Sequence, residues 1–136
     1  MARVRTGLER LLDRPEPVRG LRVGLVVNPS SITPGLEHAS VALAVRRGVK
    51  LVALFGPEHG IAADAQDLVE VGHSRDRQTG LPVHSLYGET RVPTPQMLAG
   101  VDAMVYDVQD VGSRYYTFVY TMLHVMEACA REGKRF

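Results

Sequence analysis

The sequence predicts an α/β domain built on a mainly parallel sheet, and three observations carry that expectation. Short apolar runs rich in strand-forming residues recur at residues 21–28 (LRVGLVVN), 49–55 (VKLVALF), 81–87 (LPVHSLY) and 103–108 (AMVYDV). Helical segments lie between them, and parallel neighbours need crossover connections of that kind. The first run is apolar at nearly every position after Arg22, as expected of a strand covered on both faces.

Taken in order, residues 6–13 (TGLERLLD) read as a short amphipathic helix, with Thr6 placed to cap it and Glu9 three residues on. Pro15 and Pro17 end it, so residues 1–20 are expected to form an N-terminal helix and linker, and residues 21–136 the domain. The first strand stops at Asn28-Pro29-Ser30-Ser31, and a helix over residues 38–47 follows, with Gly48 as its stop. The second strand runs into Gly56-Pro57-Glu58-His59-Gly60. Its glycines allow backbone angles closed to other residues and its proline fixes φ, so the loop is a shaped turn presenting an acid and an imidazole.

Residues 62–80 carry many charges and no clear periodicity, a length of connection often used for lids or binding loops. In the third strand Pro82 suits a strand start or an edge. Thr94-Pro95 opens a short helix with a cap residue and a proline at the first position, ending near Gly100. The fourth strand delivers Asp107, Gln109 and Asp110 at its end. A last helix over residues 115–131 shows an apolar stripe of Phe118, Val119, Met122, Leu123, Met126, Cys129 and Ala130, expected to be core. Lys134-Arg135-Phe136 reads as the beginning of another strand.

At 136 residues the chain suits one domain and is too short for two ordinary ones. A net charge of +1 with 23% charged residues gives no electrostatic case for nucleic acid or an anionic membrane surface. No apolar run approaches the ~20 residues of a membrane span, and Glu9, Arg10 and Asp13 break up the region where a signal peptide would lie. A cytoplasmic location is the expectation for the chain as written, with export open for related proteins. The lone Cys129 excludes an internal disulfide and reads as a small core residue.

In open α/β sheets, ligands bind beyond the carboxyl ends of the strands. Those ends carry residues 28–31, Glu58 with His59, residues 87–91, and residues 107–116. No glycine-rich dinucleotide fingerprint, P-loop, serine elbow or zinc signature is present. Asp107 and Asp110, with Asp64, offer oxygen ligands for Mg²⁺ and so leave phosphoryl transfer as one alternative. The fuller inventory is Glu58, Asp64, Asp107, Asp110, Arg114, Tyr115 and Tyr116, which suits glycoside hydrolysis. There, a carboxylic acid protonates the leaving oxygen. Burial in the loop is expected to raise the pKa of Glu58 for that task, and Arg114 to grip a substrate carboxylate. The plainer alternative pairs Arg114 with Asp110 and leaves Tyr115 and Tyr116 to open the last helix.

These same stretches, LFGPEHGI (54–61), DAQ (64–66), TGLPVHSLYG (79–88), PTPQML (93–98) and DVQDVGSRYYT (107–117), together resemble the exo-β-N-acetylmuramidase family of bacterial peptidoglycan turnover. The resemblance covers roughly residues 21–136 and implies a Rossmann-like N-terminal domain, in a family whose members are about three times this length. It implies release of N-acetylmuramic acid from the non-reducing end of cell-wall fragments, with no metal or organic cofactor. Glu58 matches the glutamate that the resemblance implies is the general acid/base. Asp107 and Tyr115 are expected to join it in catalysis, and Asn28, His59, Asp64, Gln109, Asp110, Arg114 and Tyr116 to bind substrate. The chain departs from the family pattern at Ala62-Ala63, where Arg-Gly is usual. Because a second domain is expected and only the first is matched, the partners implied are a peptidoglycan-derived sugar and either a missing C-terminal domain or a second copy. A non-catalytic sugar-binding domain is the other reading.

Overall fold

A computed structural model describes residues 4–61 and 74–136. Its first helix, α1 (Gly7–Asp13), begins with the expected capping box: Thr6 Oγ1 accepts from the Glu9 amide at 3.2 Å, and the Glu9 carboxylate accepts from the Thr6 amide at 3.0 Å. Five strands follow, β1 (Arg22–Val27), β2 (Lys50–Gly56), β3 (Ser74–Arg75), β4 (Pro82–Ser85) and β5 (Ala103–Asp107), in one sheet ordered β3-β4-β2-β1-β5. The pairs β1–β2, β1–β5 and β2–β4 are parallel, and only the two-residue β3 runs antiparallel, against β4. The mainly parallel α/β architecture is thus as the sequence predicts, with Pro82 at the first position of its strand.

Three further α-helices follow: α2 (Ala39–Ala44) between β1 and β2, α3 (Pro95–Leu98) between β4 and β5, and α4 (Phe118–Arg131) after β5. Alternation along the strands divides the core between the two faces of the sheet. Val26 and Phe55 pack with Leu98, Met104, Val125 and Ala128 on one side, while Leu25, Val27 and Leu54 pack with Leu8, Ala39 and Leu43 on the other. Gly24 in β1 is needed for the first of these layers, because a Cβ there would overlap the Met104 sulfur and the Phe55 ring.

The last helix differs from expectation. It starts at Phe118 rather than near Tyr115, since Tyr115 and Tyr116 lie in a turn closed by the Tyr116 amide on the Ser113 carbonyl at 3.0 Å. Its buried residues are Thr121, Val125, Ala128 and Cys129, whereas Val119, Leu123 and Met126 of the expected core stripe are 43–49% exposed. Small side chains at the contact bring the helix close to the sheet, and the bulkier ones are left outward. The helix also flanks the outermost strand, and one strand cannot cover so broad an apolar arc. Beyond Gly133 the chain returns to the sheet: Arg135 bridges Ala103 in parallel, donating to the Asp102 carbonyl at 3.1 Å and accepting from the Met104 amide at 2.8 Å. The expected strand start at the C-terminus is therefore present. Among the described residues no helix is long and apolar enough to cross a membrane.

At the amino-terminal edge of the sheet, Arg22 and Asp102 clamp β1 to β5. The guanidinium donates to both carboxylate oxygens, at 3.0 and 2.7 Å, and the Arg22 amide adds a third bond at 2.8 Å. These bonds from Arg22 hold the Asp102 pKa far below the usual carboxylate range. The stabilisation is present above the unfolded-state pKa of about 3.9 and is lost as pH falls through the depressed folded value. Asp102→Asn is therefore expected to lower the melting temperature at neutral pH, with the gap to wild type narrowing in strong acid; thermal unfolding across pH checks this.

Candidate active site

The residues at the carboxyl edge of the sheet form separate groups, and the one around Glu58 is the most constrained. Residues 57–60 make a tight turn closed by the Gly60 amide on the Pro57 carbonyl at 2.9 Å. His59 takes φ +67° and Gly60 φ +73°, a conformation that costs a non-glycine residue about 1 kcal/mol or more. Gly56 lets the turn fold back on β2, because a Cβ there would sit 3.2 Å from the Gly60 Cα and the Ile61 nitrogen.

The turn presents Glu58 to the first residue of another element. Thr117, which precedes α4, donates its hydroxyl to Glu58 Oε2 at 2.5 Å, a length typical of a bond to a charged acceptor. Thr117 makes no side-chain cap for its own helix, so the hydroxyl serves the acid instead. Tyr87, just beyond β4, is a second hydrogen-bonding partner of the Glu58 side chain. The Arg91 guanidinium lies 5.0 Å from the centre of the Tyr87 ring, stacked in the manner of a cation–π pair. The consequence for Glu58 is opposite to the expectation from sequence. The Thr117 bond pulls its pKa below the ordinary value, burial pushes the other way, and Tyr87, His59 and Arg91 add to the lowering.

A second group surrounds the ends of β1 and β5. Asn28, buried, accepts from the Ser30 amide and hydroxyl at 2.9 and 2.6 Å. Ser31 donates its hydroxyl to the Asp107 carbonyl and accepts from the Asn28 amide. His38 Nδ1 accepts from the Ser40 amide as the cap of α2, which leaves Nε2 to donate to the Asn28 carbonyl at 3.1 Å. The Gln109 amide reaches Ser30 Oγ at 3.3 Å, while its side chain is exposed. Asp107 Oδ2 is buried without a hydrogen-bond partner among the described residues. Burial raises the Asp107 pKa, and His38 partly offsets that.

The remaining expected residues lie elsewhere. Asp110, Arg114 and Tyr116 line a larger depression of about 540 Å³ with Tyr106, Val108, Val119 and Met122, along the outer edge of β5. Asp110 accepts from the Gly112 amide at 2.7 Å and, among the described residues, has no ion pair with Arg114. Tyr115 is 89% exposed. Asp64, along with Ala62-Ala63, lies outside the described residues. Among those described, no three His, Cys, Asp or Glu side chains are placed to hold a metal ion. The structure thus brings His59 to Glu58, and Asn28 to Asp107. The residues that hold Glu58, namely Thr117, Tyr87 and Arg91, have no individual role in the sequence reading, although Tyr87 and Arg91 lie in the strand-end stretch 87–91 and Thr117 and Tyr87 inside the family-like motifs.

Residues 23–136 match the family model described as "Exo-beta-N-acetylmuramidase NamZ, N-terminal". The chain belongs to that family. It is 47% identical over 135 residues to the peptidoglycan β-N-acetylmuramidase NamZ of Bacillus subtilis (strain 168), covering 98% of this chain and 33% of that protein. Two crystal structures of DUF1343 family proteins from Bacteroides fragilis NCTC 9343 share the fold. One has a TM-score of 0.86 at 44% identity, with 98% of this chain and 34% of the other covered. The second has a TM-score of 0.73 at 27% identity, with 94% and 32% covered. The chain therefore spans about a third of the length of these relatives, as the family resemblance leads one to expect.

Removing the Thr117 hydroxyl takes away the strongest influence holding Glu58 ionised. Thr117→Val is expected to raise the Glu58 pKa, read directly by carboxyl-carbon NMR titration. It also trims the stability that the depressed group contributes above the unfolded pKa of about 4.3 and loses on acidification.

Proposed function

We propose that the chain supplies the Glu58-bearing part of an exo-acting glycosidase that releases N-acetylmuramic acid from the non-reducing end of peptidoglycan fragments. The observation that carries this reading is the 2.5 Å bond that fixes Glu58 against Thr117 at the carboxyl end of the sheet, in a member of this family. An exo-glycosidase needs one carboxyl group at the scissile oxygen. As that oxygen's bond to the anomeric carbon breaks, Glu58 gives it a proton, and a water that adds to the same carbon completes hydrolysis by losing one.

The resting charge of Glu58 fits a group that must work in both directions. With Thr117 and Tyr87 bonded to it, it rests as a carboxylate able to accept a proton. A sugar covering the turn strengthens burial, the one influence already pushing its pKa upward, and moves it toward proton donation. In this reading Asp107 and the Asn28 corner shape the neighbouring wall, His59 flanks the acid, and Gln109, Asp110, Arg114 and Tyr116 extend the binding surface. The outward Tyr115, 89% exposed, favours a second reading in which this chain alone binds sugar and turns over only with further sequence beside it.

Glu58→Gln is expected to reduce release of N-acetylmuramic acid from a disaccharide bearing it at the non-reducing end by about 10²–10⁴-fold, with the fold retained and the melting temperature at neutral pH only slightly lowered. The comparison is made on this chain and on the form extended through any downstream coding sequence. Unchanged release in an active form overturns the assignment. Binding without turnover in both forms moves the conclusion to the sugar-binding reading.

A further inference from the structure

Beside Glu58 lies a small cavity that the reading above does not use. It measures about 200 Å³ and is lined by Leu86, Tyr87, Arg91, Thr117, Thr121 and His124, with Tyr120 at its rim against the larger depression. Pockets for whole small molecules run from about 300 to 1,000 Å³, so this one suits a substituent rather than a ring. Two of its walls are shared with the acid, since Thr117 and Tyr87 both bond Glu58.

The lining is built for negative charge. Arg91 Cζ lies 5.0 Å from the centre of the Tyr87 ring, and its guanidinium is a planar fork of N–H donors. Such a fork matches a carboxylate in two parallel bonds. Among the described residues no carboxylate oxygen lies within 4.0 Å of Arg91. His124, whose Nδ1 lies 3.9 Å from the Glu127 carboxylate, adds a second nitrogen-bearing side chain, and Thr117 and Thr121, whose hydroxyls donate to Glu58 and to the Thr117 carbonyl, complete a polar lining with Leu86. Among the described residues no carboxylate lines the cavity.

We infer that Arg91, stacked on Tyr87 and assisted by His124, forms an anion subsite that reads the acidic side arm of the sugar whose linkage Glu58 attacks. The inference rests on the glycosidase reading and deepens it. It moves carboxylate recognition from Arg114, which faces the depression along β5, to the shoulder of the acid itself. N-acetylmuramic acid differs from N-acetylglucosamine by one short carboxylate-bearing ether arm, so a pocket too small for a ring but placed beside Glu58 discriminates between them.

The test compares two β-linked substrates with the same leaving group, one carrying N-acetylmuramic acid and the other N-acetylglucosamine, on the chain and its extended form. Arg91→Gln is expected to lower kcat/KM for the acidic sugar about 10–100-fold, chiefly through KM, and to lower it much less for the neutral sugar, where only the influence of Arg91 on Glu58 is lost; Arg91→Lys restores part of the loss. Direct titration of each free sugar, followed by NMR, gives a readout independent of turnover: wild type prefers N-acetylmuramic acid and Arg91→Gln abolishes the preference. Equal losses on both substrates overturn the subsite, as does an unchanged preference in both assays, or a preference that collapses in Arg114→Gln instead. A wild type that binds the acidic sugar through Arg91 but cleaves neither substrate upholds the subsite and overturns the glycosidase reading alone.

Discussion

The hydroxyl of Thr117 can serve its own helix or the acid across from it, and the site depends on which it serves. A threonine preceding a helix ordinarily bonds a backbone amide of the first turn, which stabilises a helix by about 1 kcal/mol. Here the residue has helical backbone angles, makes no side-chain cap and donates to Glu58 instead. One bond thereby joins the turn after β2 to the start of α4, across 59 positions of sequence, and fixes both the position and the charge of the acid. Tyr106 secures the same corner from β5, its hydroxyl donating to the Phe118 carbonyl at 2.8 Å while burial pushes its pKa up to about 12.

Two carboxyl groups at this edge respond in opposite senses. Glu58 has hydrogen-bond donors and positive neighbours and is held ionised; Asp107 has an oxygen with no partner among the described residues and is biased toward its neutral form. The two environments differ in what they offer a negative charge. They also divide the site physically, because β1 runs between the strands that carry the two residues.

What the sequence discloses is what local chemistry determines. The capping box at Thr6 and Glu9, the proline that opens β4, the succession of apolar runs and the glycine-bounded turn at Glu58 all depend on residues a few positions apart, and all are found as read. The failures share a different cause. The pKa of Glu58 depends on Thr117, whose proximity only the folded sheet creates. The helix α4 is apolar on more than one side, so periodicity cannot say which side meets the sheet; small residues at Thr121, Ala128 and Cys129 decide it. Arg91 falls in the strand-end stretch 87–91, but its part there depends on a ring four residues back in an irregular segment, a pairing that spacing alone does not bring together.

The same helix has a mechanical property. With 14 residues it is a rod of about 21 Å, held at its first residue by the Tyr106 hydroxyl and preceded by the threonine that holds the acid. Its outward row of Val119, Leu123 and Met126 runs along the shaft. The residue that holds the acid is thus the one that leads into α4, so the position of Glu58 is tied to the amino-terminal end of that helix.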